Sequence, residues 1–342
     1  MRRRSVIMAP FAVAALAGAS RDWLLAMLDE VATDRGPRVV GMQQVTGIRH
    51  IFTLFQELDV MHGGGHARAA LVEYLNSYVL PLLNKRHEPA VQTALYEAAA
   101  EQAYLVGWMA YDDGEHGLAQ RYLIKALRLA EASGNAALGA HVLAGMSDQA
   151  NLLGYPREAL MLAKAGQRGM RATGSNACLA DLYILEARAQ AALGRSAEAS
   201  AAVVRAEETF AKVDRENEPE WARFIDEAYL FGEAALCFRD LRQHDQAERF
   251  ATQSATAAAR QKRARRGALS NATLAVAELQ RKNVEGAAVK ATHVVDLATS
   301  VDSSRCVETV RDLLRRFAPY ESVPEVQEFR HRASTLIELS VS

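Results

Sequence analysis

The sequence predicts an all-α protein, an α-solenoid of helical hairpins, and three observations predict it. The chain repeats itself: Gly114-x4-Ala119, Gly154-x4-Ala159 and Gly194-x4-Ala199 stand 40 residues apart, the frame steps by 48 to Ala247, and it resumes at 40 with Ala287. A period of that length marks stacked units, each too small to bury its apolar face alone. A small residue (Gly107, Ser147, Ala187, Ala235, Ala275) also sits seven positions before each turn position, with Ala five after it. Two helices approach closely only where neither carries a bulky side chain at the crossing. Finally, Val and Ile occur singly inside 3.6-residue patterns rather than in the alternating runs that strands require.

The elements follow in order. Asp22 can cap a helix over Trp23–Val31, and a second helix over Arg38–Leu58 follows the Gly36-Pro37 break. His62-Gly63-Gly64-Gly65-His66 cannot be helical and reads as a flexible loop. Ala67–Leu80 places Leu71, Tyr74, Leu75 and Tyr78 on one helical stripe, which Pro81 should end or kink. Pro89 opens the regular array: 89–111 with 117–132, 137–152 with 156–170, 177–192 with 196–213, 221–241 with 244–260, and 265–281 with 284–299. The charged loop Asp214–Glu220, which holds Pro219, supplies most of the longer 48-residue step. Helices at 304–318 and 323–340 close the stack, and Arg311, Asp312, Arg315 and Arg316 suit the polar outer face of a terminal unit. The domain boundaries are therefore 1–20 for an apolar N-terminal segment, 21–88 for N-terminal helices, 89–300 for five repeats and 301–342 for capping helices.

The repeats keep the small-residue crossings and the second-helix Ala of tetratricopeptide units, but keep their aromatic positions poorly. Their 40-residue period also exceeds the usual length of about 34. The expected architecture is a right-handed tetratricopeptide-like solenoid with lengthened helices. In such arrays the first helix of each hairpin lines the inner face. That face takes Glu101, Tyr104, Trp108 and Tyr111 from the first copy and Asp148 and Asn151 from the second. It takes Arg188 from the third and Glu233 and Arg239 from the fourth. An aromatic end beside a mixed-charge stretch suits a peptide or an amphipathic helix as ligand, although Tyr104 and Trp108 could instead pack against the adjoining hairpin.

Composition narrows the function classes. Forty basic and forty-one acidic residues give a net charge of −1, so no global field draws nucleic acid or an anionic membrane. Three cysteines, Cys178, Cys237 and Cys306, fit neither a metal-binding spacing nor a disulfide framework, and suggest a reducing compartment. His62-Gly63-Gly64-Gly65 has the letters of an esterase oxyanion loop, yet the nearest nucleophile candidate, Gly145-Met146-Ser147-Asp148-Gln149, lacks the second Gly and lies in a helix. His62 and His66 are separated by glycines that keep them off one helical face. No catalytic residue, cofactor or metal is expected. The dense basic run Arg260-Gln261-Lys262-Arg263-Ala264-Arg265-Arg266 lacks interleaved aromatics and reads as a solvated turn. Arg3-Arg4-Ser5-Val6-Ile7, the apolar run Met8–Gly18 and the small-residue site Ala17-Gly18-Ala19 have the three parts of a twin-arginine export signal, too short to remain as a membrane anchor.

Several stretches carry a resemblance. These are Gly107–Tyr122 (Gly-Trp-Met-Ala-Tyr-Asp-Asp-Gly-Glu-His-Gly-Leu-Ala-Gln-Arg-Tyr), Met146–Ala150, Leu153–Ala159, Trp221–Ala228, Leu58–His66 and Arg316–Tyr320. Over roughly 21–339, and most specifically in the first copies, the chain resembles the C-terminal sensor region of actinobacterial XRE-type regulators, which join a helix-turn-helix domain to tetratricopeptide-like repeats. The chain begins where that DNA-reading domain would have ended. The resemblance therefore implies a transcription-regulatory module that binds a protein, a peptide or a small signal without touching DNA itself. In longer relatives a stretch similar to Arg3–Ala19 lies inside the chain, which implies a cytoplasmic protein rather than an exported one. An exported scaffold and a ligand-binding protein with no partner are the alternatives. Segments 21–58 and 323–340 are candidates for homodimer contacts.

Overall fold

The computed structural model describes residues 41–65, 67–170 and 175–341. The export-like segment 1–20, the expected helix at 23–31 and His66 lie outside the described residues. Every regular element among the described residues is helical. In chain order, α1 is Met42–His62 and α2 is Arg68–Tyr74, which runs through a π-helical turn, Leu75–Val79, into α3, Leu80–Leu83. The hairpins are α4 (Pro89–Asp112) with α5 (His116–Ser133), and α6 (Ala136–Leu152) with α7 (Pro156–Met170). They continue as α8 (Asn176–Ala192) with α9 (Ser196–Phe210), α10 (Glu227–Asp240) with α11 (His244–Arg260), and α12 (Ala264–Gln280) with α13 (Val284–Thr299). A last pair, α14 (Ser304–Phe317) and α15 (Pro324–Val341), follows a 3-10 turn at Ala318–Tyr320 that separates its members. Neighbouring helices pack in pairs, as an α-solenoid requires. Contacts divide the described chain into two compact units: 42–56 with 67–170, and 57–65 with 175–341.

Seven of the described helices end by one local device. Gly114, Gly134, Gly154 and Gly194 have positive φ, and so do Arg242, Lys262 and Lys282, which are not glycines. After each of them the next amide donates five residues back, from Glu115 to Ala110 O, Asn135 to Ala130 O, Tyr155 to Ala150 O, Arg195 to Gln190 O, Gln243 to Phe238 O, Arg263 to Ala258 O and Asn283 to Glu278 O, at 2.8–3.2 Å. This is the Schellman closure, which satisfies carbonyls that the helix end would otherwise leave unpaired. The left-handed residues at 114, 134 and 154, and again at 242, 262 and 282, fall 20 apart. The 40-residue repeat is thus two helix-plus-turn steps of equal length. The jump of the frame comes from the segment between α9 and α10.

The hairpins close at the predicted crossings. Gly107, Ser147, Ala187, Ala235 and Ala275 are buried, as are their counterparts Ala119, Ala159, Ala199, Ala247 and Ala287. A Cβ on Gly107 would lie 3.0 Å from Leu123 Cγ and 3.3 Å from Ala119 O, so the helices already touch there. In the second hairpin the Ser147 hydroxyl donates to Ala159 O at 2.8 Å, joining the two helices at the same point. Helix starts are capped where the sequence offers a short polar side chain: Asn135, Ser175, Asp226, Asn283 and Ser303 each accept from an amide three residues on.

Two expectations need correction and a third is refined. Of the two outcomes expected at Pro81, the helix does not end there but is distorted. Leu80 N–H reaches back five residues to Leu75 O, and this wider turn absorbs the ring that an α-helical ladder would clash with. The expected helix over 221–241 is split into a 3-10 turn at Glu220–Ala222 and α10, because Asp226 turns its backbone extended and caps the new start. The His62–Gly65 tract is no flexible loop. Gly63 and Gly64 are buried, Asp302 N–H donates to His62 O at 2.7 Å, and a Cβ on Gly63 would fall 2.0 Å from Asp302 O.

The turn geometry is testable at Gly154, where φ is +82° and no atom lies within 4 Å of a built Cβ. Gly154→Ala meets no clash, so its cost is conformational, about 1–2 kcal/mol. A thermal melt should show the midpoint lowered by a few degrees. Lys282→Gly, at φ 65°, should leave it unchanged or raise it, because the same strain is released.

Candidate functional site

In the first unit, α4 and α6 bring together six of the residues singled out from the sequence. Tyr104 is buried with its ring centroid 4.1 Å from that of His141, and Gly145 makes the room, since a Cβ there would stand 2.8 Å from the Tyr104 ring. One turn on, Trp108 is half-buried, its centroid 6.5 Å from Tyr104 and 5.2 Å from Tyr111. The buried Tyr111 hydroxyl donates to Asp148 Oδ2 at 3.1 Å. Asn151, half-buried, follows one turn beyond Asp148 on α6. Glu101 is buried with Arg49 Nε 3.6 Å from its carboxylate, while Arg49 also bonds Glu97 at 2.5 Å. The row is therefore aromatic along α4 and acidic at both ends, and its rings are fixed by the neighbouring hairpin.

His141 is enclosed, and burial lowers its imidazole pKa to about 3, so the ring is neutral and adds no charge to this surface.

The second unit holds a different assembly. Arg188 and Glu233, on α8 and α10, form a buried ion pair, and Arg266 on α12 donates to the other Glu233 oxygen at 3.0 Å. Burial pushes the Glu233 carboxyl up, but Arg188 and Arg266, with Arg305 farther off, outweigh it and hold the group below its ordinary range. The Arg266 guanidinium also lies 4.9 Å from the Tyr229 ring centroid, and the Tyr229 hydroxyl donates to Asp181 at 2.9 Å. A Cβ on Gly232 would stand 2.7 Å from Arg266 Nη1, so glycine is what lets the guanidinium lie against α10. Arg239 stands outside this network; it is half-buried and bonds its neighbour Asp240 at 2.7 and 2.9 Å.

The basic run is a solvated turn only over its first three residues; from Arg263 on it is internal, which corrects the rest of that reading. Arg263 bonds Asp226 at 2.6 Å, Arg265 makes two bonds to Asp59 at 2.8 and 3.3 Å, and Arg266 belongs to the Glu233 network. Arg260, Gln261 and Lys262 are the exposed members. The first turn of α12 points its guanidiniums inward, where Asp59 of α1, the α10 cap Asp226 and Glu233 of α10 neutralise them. Sequence reasoning missed Asp59, Asp181, Tyr229, Arg265, Arg266 and His141 as site-forming residues. No local pattern could pair Asp59 with Arg265, 206 positions away.

Other chemistry is weakly supported by position. Cys178, Cys237 and Cys306 are buried free thiols, and burial raises the first two, Cys237 to about 12, which leaves them poor nucleophiles. Gly63 faces the Asp302 backbone and Gly64 is buried, which leaves no open oxyanion position at these two residues. Among the described residues no group of three His, Cys, Asp or Glu side chains could hold a metal, and no helix is long and apolar enough to cross a membrane. No family model matches the chain, and no curated protein is significantly similar to it.

Two outcomes test these assemblies. Glu233→Gln leaves two buried guanidiniums short of their counter-charge and should destabilise by about 3–5 kcal/mol, read as a fall in the urea midpoint. For His141, the unfolded ring takes a proton below about 6.5 and the folded ring only near 3. The unfolded state therefore binds more protons between those values, and stability falls as pH drops, by about 2 kcal/mol at pH 5 relative to pH 7. His141→Leu should remove that component of the difference between urea midpoints measured at the two pH values.

Proposed function

We propose that the chain is a regulatory binding module whose right-handed, tetratricopeptide-like hairpins recognise a protein or peptide along the first helices of the repeats. It acts in transcriptional regulation, in the cytoplasm, through a partner. The observation that carries this reading is the α4–α6 row. Trp108 is half-exposed between two buried tyrosines, with Asp148 and Asn151 on the adjoining helix. Aromatic rings already held in one rotamer lose little entropy on contact, and Trp and Tyr dominate the energetics of recognition surfaces. A carboxylate beside them suits a ligand with an apolar side chain next to a cationic one. The resemblance to sensor regions of helix-turn-helix regulators supports the same role. Binding would act by occlusion or by a small shift between hairpins, with no covalent step.

The test uses pull-downs from host lysate with wild-type chain, Trp108→Ala, Asn151→Ala and a control at exposed Val289 in the second unit. The first two variants should lose partners that the Val289→Ser control keeps. Retention of the same partners at the same salt by Trp108→Ala would make the row a packing feature only.

A further inference from the structure

The connection between α9 and α10 is the longest break in the array's rhythm, and it is built rather than loose. Glu218 reaches across to α8, accepting from the Ser175 hydroxyl at 2.6 Å and from Ala177 N–H at 3.0 Å. Trp221 and Ile225 are buried at 4% and 0% exposure, and they fix the segment from its middle. Beside it opens a cleft of about 410 Å³. This volume lies in the range of small-molecule sites, about 300–1,000 Å³. Phe210 and Val213 give the cleft an apolar side; Arg215, Arg223, Glu227 and Gln261 give it a polar one.

The charges of this lining are unequally committed. Asp226 is satisfied twice, by Arg263 and by Tyr229 N–H, and Arg223 is bonded to Glu220 at 2.5 Å. Arg215 is different. Its guanidinium lies 5.2 Å from the Phe210 ring centroid and donates one N–H to Arg223 O at 3.2 Å. Those two contacts are its partners among the described residues, and the remaining N–H donors of the planar fork are held in place by the ring beneath. Among the described residues Glu227 has only Arg260, at 3.5 Å and with both side chains largely exposed, an arrangement that contributes little. The cleft thus offers a positioned cation, a carboxylate free to exchange partners, and an apolar surface.

We propose that this cleft binds a short free peptide of two or three residues with both termini charged. The peptide carboxylate is received by Arg215, the terminal ammonium by Glu227, and an apolar side chain by Phe210 and Val213. A simple anion would have the Glu227 carboxylate facing it, and a simple amine would have the Arg215 guanidinium facing it. A single amino acid would leave much of the volume unfilled. The site belongs to the second unit and is independent of the α4–α6 row.

Calorimetric titration of the full chain with Leu-Leu, N-acetyl-Leu-Leu and leucyl-leucinamide tests the assignment. Saturable binding is expected for Leu-Leu, weakened about tenfold or more by blocking either terminus. Arg215→Ala should weaken Leu-Leu by a similar factor at an unchanged melting midpoint, since the side chain is exposed, and Phe210→Ala should weaken all three ligands. Trp108→Ala should leave the titration unaltered, which separates this site from the proposed recognition row. Equal affinity for blocked and unblocked peptides, wild-type affinity in Arg215→Ala, or no saturable heat with any of the three would overturn it.

Discussion

Close approach of two helices at an alanine-sized crossing is the constraint on which the rest of this structure depends. Once Gly107 meets Ala119 and Leu123, or Ser147 meets the Ala159 carbonyl, the angle and register of the hairpin are fixed. The first helices are then enclosed on most sides, and many of the polar side chains they carry are buried. Such groups persist in an interior only where partners satisfy them. The buried carboxylates, guanidiniums and tyrosine hydroxyls of α4, α6, α8, α10 and α12 follow from this: close packing comes first, and the hydrogen-bonded pairs are its corollary.

That order explains what could be read from the residues. The spacing of small side chains and turn positions is local, so the hairpins, their crossings and most helix ends were legible. Left-handed turns at Arg242, Lys262 and Lys282 were hidden because the glycine that flags such a turn is absent, although the frame placed two of them correctly. At Pro81 the disturbance takes the form of a π-turn that relieves the clash, and nothing in Leu75–Val79 announces that turn. The site was legible as a set of positions on the first helices, but not as partners. Tyr111 with Asp148 and Arg188 with Glu233 were both named from their places in the repeat, and the bonds joining them depend on how hairpins stack. Asp59 could not be found at all, since its partner lies 206 positions away.

The two units use polar burial differently. Around Tyr104 the first unit is aromatic and keeps its histidine neutral, so its half-exposed tryptophan sits in a surface of low positive charge. The second unit concentrates arginines inside, balanced by carboxylates of other helices, with Glu233 shared by Arg188 and Arg266. A buried ion pair contributes little net stability against an apolar replacement, yet removing one member is costly. The arrangement therefore rewards correct assembly of α8, α10, α12 and residues 57–65 more than it rewards burial itself.

The three thiols have a practical corollary. Cys178, Cys237 and Cys306 lie on α8, α10 and α14, one to a hairpin, and all are enclosed. An alkylating reagent reaches each sulfur only when its own hairpin separates from its neighbours, so labelling rates at the three positions time those openings individually. The protein carries, without any added probe, a built-in set of clocks for the breathing of its second unit.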